Sequence, residues 1–142
     1  MLPQLFLESK EFSTPLRDLK EGRTPMLIYD TNAAARAMYA AAFCSEFDTL
    51  FFITRDDGEA QKSAKMINGF GGRAVWFPSR EYNLKDSYSH SNAFENERLL
   101  ALWRICREKG LAVAMSLEAA AGILMPKTEF LDNCFTLEKG DE

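Results

Sequence analysis

The sequence is poor in the residues on which most side-chain chemistry depends. It has one histidine, His90, in 142 residues, so any imidazole role falls to that single group. Its cysteines are few and odd in number: Cys44, Cys106 and Cys134 lie far apart in apolar or helical contexts. That pattern points to reduced, buried thiols in a cytoplasmic protein and away from a disulfide frame or a zinc site. A basic excess is also missing: 17 Lys and Arg stand against 21 Asp and Glu, a net charge of −4. A phosphate-driven grip on nucleic acid by this chain alone is therefore not expected. No apolar run approaches the roughly 18 residues needed to span a bilayer. The start, Met1-Leu2-Pro3-Gln4, lacks the basic region and cleavage site of a signal peptide, so a soluble protein with no membrane contact is expected. There is no repeat and no low-complexity stretch.

What is present suits one domain with an ordinary core, 46% of the chain being hydrophobic. Residues 1–24 read as a helical lead-in of two pieces, docked on the first strand. The second piece is capped at Ser13-Thr14, carries Pro15 at its first helical position and closes on Gly22. The domain proper spans 25–142. Met26-Leu27-Ile28-Tyr29 is a continuous apolar run of the kind buried in a parallel sheet, and it feeds an Ala-rich helix over 33–44. The unit recurs: a strand at 49–54, a helix over 59–68, and a strand at 73–77.

Pro78 has no N–H to give a ladder, so it ends the 73–77 strand and releases a loop at the sheet's carboxyl end, where ligands and partners of open α/β sheets sit. A helix capped at Ser91 or Asn92 follows and ends by Gly110. Residues 111–115 form a buried strand, Ser116 caps a short helix, 126–130 make a turn, and 134–138 form a last strand. The alternation predicts an α/β fold in three layers with a mostly parallel, right-handed sheet.

The first strand-to-helix turn, at Asp30, Thr31, Asn32 and Arg36, is where such a fold would cradle phosphate. It has no glycine and no Lys-Ser or Lys-Thr pair, and Asp30 would repel an anion; helix capping by Asp30, Thr31 or Asn32 is the expectation. His90 has Asp86 and three serines nearby, but neighbours on one loop rarely converge as nucleophile, base and orienter. Asp56-Asp57 reads as a helix cap, and Glu97 with Arg98 as part of a solvated face. Trp76 and Phe77 read as core. With Tyr82 and Tyr88 they also offer a stacking surface for single-stranded DNA, which sets a nucleotide- or DNA-binding module as the alternative function. Arg80 and Arg98 flank the loop and are candidates to brace its acids, Glu81 or Asp86, by forked hydrogen bonds. No catalytic residue, metal site or cofactor is expected.

Phe77-Pro78-Ser79-Arg80-Glu81, Asp86, Ser89-His90-Ser91, Glu97-Arg98-Leu99 with Leu102, Met115-Ser116-Leu117-Glu118-Ala119 and Pro126, in this order and spacing, resemble the N-terminal region of the bacterial transcription-repair coupling factor. The resemblance covers 25–142; the excision-repair helicase UvrB is the second family it approaches. It implies a RecA-like half-domain, of the phosphate-loop NTPase kind, that has lost its nucleotide site and belongs to a UvrB-like module. It further implies a role in transcription-coupled nucleotide excision repair, supporting UvrA recruitment through an adjacent domain and holding the whole protein inhibited. RNA polymerase and DNA would be met by other domains, one of them an ATP-driven motor. The loop at 82–91 is short beside the damage-probing hairpin of UvrB, which argues against direct lesion probing.

Overall fold

The computed structural model describes residues 2–80, 92–122 and 124–135. Two helices, α1 (Leu2–Glu8) and α2 (Lys10–Lys20), precede α3 (Ala33–Phe43). Then β1 (Thr49–Thr54), α4 (Asp57–Gly69), β2 (Ala74–Phe77), α5 (Asn92–Arg107) and β3 (Leu111–Ser116) alternate, and α6 (Leu117–Ala120) and α7 (Lys127–Asp132) follow. The strands form one parallel sheet in the order β1-β3-β2, with Phe51 beside Val113 and Val75 beside the same residue from the other side.

Strand pleating sends alternate side chains to opposite faces, and each face has its own core. On one face Ala74, Ala112 and Ala114 meet Ala37, Ala40, Ala41 and Cys44 of the α3 region and Ala64 and Ile67 of α4. On the other, Val75, Phe77, Leu111, Val113 and Met115 meet Ala101 of α5 and Ala119 of α6. β3 is the middle strand and all six of its residues are buried, which explains why it reads as an unbroken apolar run. The β1-to-β2 connection crosses by α4 on one face; the β2-to-β3 connection runs back by α5 on the other. Reversing both direction and face keeps both crossovers the same hand. The result is a three-layer, mixed α/β fold with helices on both sides of a small parallel sheet.

Small residues set the spacing on the α3 side. Gly72 approaches α3 so closely that a Cβ there would lie 2.8 Å from the Ala41 Cα and 2.8 Å from Ile67 Cγ2. Gly110 turns the chain into β3 with φ 68, in the left-handed region, and donates its N–H to the Asp48 carbonyl at 2.9 Å.

Four expectations are corrected. Residues 26–29 are not a strand: Leu27 is 83% and Tyr29 81% exposed, and β1 pairs with β3 alone among the described residues. A continuous apolar run becomes a central strand only if neighbours flank it, and here it lies outside the sheet as a strap. The lead-in packs mainly on α3, with Phe12 and Leu16 against Ala42 and Phe43 and Leu50 of β1 joining the same cluster, rather than on residues 26–29. Pro15 lies inside α2, whose N-cap is Ser9. Proline cannot donate to the Glu11 carbonyl four residues back, and the Tyr39 hydroxyl of α3 takes that acceptor at 3.2 Å. At the far end, Cys134 and Phe135 are not in a strand; residues 136–138 of that expected element lie outside the described residues.

Candidate functional site

All three strands finish at one polar cluster on the sheet's carboxyl edge. The Thr54 hydroxyl at the end of β1 is 2.9 Å from the Asp56 carbonyl and 3.2 Å from that of Met115. Ser116, ending β3, accepts the Ala119 N–H at 3.2 Å and so caps α6. Asp56 caps α4 by accepting the Glu59 N–H at 2.8 Å. That leaves its neighbour Asp57 free to reach across to β2's exit, where its Oδ2 accepts both the Ser79 N–H (2.8 Å) and the Ser79 hydroxyl (2.7 Å).

Beneath this cluster lies Arg98 of α5, only 3% exposed. Its Nη1 donates to the Pro78 carbonyl, and its guanidinium carbon sits 4.4 Å from the centre of the Phe77 ring. Burial pushes the Asp57 carboxyl up, but the Ser116 hydroxyl, the Ser79 hydroxyl and N–H, and the Arg98 charge together outweigh it and hold the group below its usual range. Oδ1 of Asp57 is buried, and the Ser116 hydroxyl is the strongest of the groups that draw the carboxyl down. A carboxylate stabilised in this way is a weak base, and Ser79 donates to it without being activated by it. The cluster's chemistry is that of a tie: it fixes the path of the chain as it leaves β2.

The second place of interest is the start of α3. Asp30 has φ 58, an αL turn that its short polar side chain tolerates. Asn32 Oδ1 accepts the Ala35 N–H at 2.8 Å, so the helix start is capped by the chain itself. Arg36 faces Glu59 of α4 at 3.3 Å. Beside this turn, between the strap, α3 and the outer edge of β1, is a slot of about 560 Å³ bordered by Ile28, Thr31, Tyr39, Leu50 and Phe52.

Of the residues singled out from sequence, Asp30, Thr31, Asn32 and Arg36 are together at this turn, with Asn32 as the cap. Arg80 is exposed. Arg98 is not on a solvated face with Glu97: Glu97 is exposed and Arg98 is buried beneath β2. Glu81, Asp86, His90, Tyr82 and Tyr88 lie outside the described residues. Trp76 is half-buried and packs with the α3 and α4 core, as a core residue should. Asp57, Ser79 and Ser116 went unnoticed as a group; the doublet Asp56-Asp57 held the only signal, since one aspartate suffices to cap a helix. Among the described residues no group of three or more His, Cys, Asp or Glu side chains could hold a metal ion, and no helix is long and apolar enough to cross a membrane. The chain matches no family model, no curated protein and no solved structure.

Proposed function

We propose that this chain is a non-catalytic α/β scaffold of the RecA-like type, akin to the front of a bacterial transcription-repair coupling factor. In that role it presents an adjacent UvrA-binding domain and helps hold the full protein inhibited. The observation that carries the reading is the start of α3. The backbone amide that would face a phosphate is taken by the chain's own Asn32, Arg36 is engaged by Glu59, and Asp30 adds negative charge at the same turn. Anion binding at a helix start draws on free amides and a positive field, and here Asn32 takes one of those amides and the acids Asp30 and Glu59 offset the field. The tie between Asp57 and Ser79 suits the same role, because it holds the exit of β2 in one path without performing a reaction.

Calorimetric titration with ATP and magnesium tests the non-catalytic part: no saturable heat is expected, and saturable heat would sink it. Interferometry of immobilised UvrA tests the scaffold part. Binding is expected only from a version extended through the following domain, whereas equal binding by this chain alone would make it a direct contact.

A further inference from the structure

The two outer edges of the sheet are treated differently. Ala112 of β3 donates its N–H to the Arg73 carbonyl at 2.8 Å, so the even-numbered amides of β3 face β2 and the odd-numbered ones face β1. It follows that Ala74 turns its N–H and C=O outward on the β2 side. Asn68 meets both, accepting from the N–H at 2.8 Å and donating to the carbonyl at 3.1 Å. On the β1 side, by the same alternation, Thr49, Phe51 and Ile53 point their N–H and C=O groups outward. What faces them is the strap at 26–29, which makes no hydrogen bond to this edge among the described residues. It stands across the slot of about 560 Å³, with Ile28 and Thr31 on the slot's wall.

We infer that the strap is a hinged edge strand, which closes on β1 as a fourth parallel strand in the order strap-β1-β3-β2 and which this structure holds open. Three features of the chain agree on one closed register, with Leu27 beside Phe51 and Tyr29 beside Ile53. The first is parity. A residue beside an outward-facing one turns its own groups away, so Pro25 falls beside Thr49 and presents its missing N–H to the far side. The opposite parity would turn the proline nitrogen toward β1. Phe51 then bonds Met26 and Ile28, and Ile53 bonds Ile28 and Asp30. The second feature is the side chains. Leu27 and Tyr29, 83% and 81% exposed, come onto the face of Phe51 and Ile53, 59% and 54% exposed, so four bare apolar groups cover one another. Ile28 falls on the other face with Leu50 and Phe52, which pack toward α3 and α4. The third is handedness. The path from strap through α3 to β1 repeats the direction and the face of the path from β1 through α4 to β2, so closure adds a crossover of the same hand.

Asp30 is the hinge. Its φ of 58 puts a left-handed turn between the strap and the Asn32 cap. Rotation there swings the strap while Asn32 keeps its hold on α3, and closing takes Asp30 to extended backbone. The slot exists only while the strap is open, so filling the slot and closing the strap exclude each other. The strap thereby decides whether the β1 edge is covered or free to accept an added strand.

Residue-resolved hydrogen exchange of the intact chain tests this. Asp30→Val disfavours the left-handed turn and should slow exchange of the Phe51 and Ile53 amides about tenfold. Asp30→Gly, at ease in that turn, should speed it. The Ala74 amide, held by Asn68, should change in neither variant. Adjacent strands lie about 4.8 Å apart, within disulfide reach, so Leu27→Cys with Phe51→Cys should link within one chain on oxidation by diamide, as read by peptide mapping. Leu27→Cys with Phe52→Cys, on opposite faces, should not. Phe51 and Ile53 exchange that is indifferent to both Asp30 variants overturns the proposal. Failure of the first cysteine pair to link, or equal linking by the second, overturns it as well.

Discussion

Arg98→Met removes a cation from beneath the sheet's carboxyl edge while keeping an apolar stem of similar length. The structure allows its cost to be worked out. The Pro78 carbonyl loses a charged donor in a place where Pro78 itself is fully buried, and a bond of that kind contributes about 1.5–3 kcal/mol. The guanidinium over Phe77, at 4.4 Å, contributes about 0.5–2 kcal/mol more. Against these stands the relief of no longer burying a guanidinium, which offsets part of the sum. A net loss of about 3 kcal/mol is expected, a large fraction of the roughly 5–15 kcal/mol that holds a domain together. Urea unfolding followed by circular dichroism measures it as a lower midpoint at unchanged slope. Asp57→Asn in the same background should then cost less than it does alone, since the Arg98 charge acts on Asp57. A loss under about 1 kcal/mol, or strict additivity of the two changes, would refute the reasoning.

Two further outcomes are expected. Gly72→Ala places a methyl 2.8 Å from backbone of α3 and from Ile67, closer than packed carbons tolerate. It should destabilise by about 1–3 kcal/mol in thermal or urea unfolding even though alanine stiffens the unfolded chain, and a neutral result would mean that α3 is free to shift. Asp57 has a folded pKa below its unfolded value of about 3.9. Its contribution to stability is therefore present above that value and lost as pH falls through the lower, folded one. Asp57→Asn should flatten the acid limb of the stability–pH curve below about pH 4; an acid limb of unchanged steepness would remove Asp57 from that role.

The sheet was largely legible in the chain. The aromatic and β-branched run at 49–54 became the half-exposed strand β1 and the unbroken apolar run at 111–115 the buried strand β3, and Pro78 stops β2 for a reason contained in one residue. Leu27 and Tyr29 show where that logic ends. Hydrophobicity demands cover, but it does not say which neighbour supplies it, and no described strand flanks 26–29. The carboxyl-edge cluster was hidden for a related reason. Asp57, Ser79, Arg98 and Ser116 come from four separate elements, and only the β1-β3-β2 order brings them together. In sequence Arg98 pairs naturally with its charged neighbour Glu97, but one step along a helix rotates a side chain by about 100° and moves it from water to core. By contrast the α3 turn was readable, because Asn32 acts on an amide three residues away and local chemistry suffices.

Pro15 has a consequence beyond its own helix. Two helices that meet through apolar stripes can slide by a turn, about 5.4 Å, and find a similar surface again. The proline leaves a single vacant acceptor in the body of α2, the Glu11 carbonyl, and the Tyr39 hydroxyl engages it. Any slip of the lead-in along α3 would strand that carbonyl and disengage the Phe12 ring from Tyr39, whose centroids lie 4.5 Å apart. A residue usually regarded as a helix breaker thus works as a detent, giving an otherwise slippery contact one indexed position.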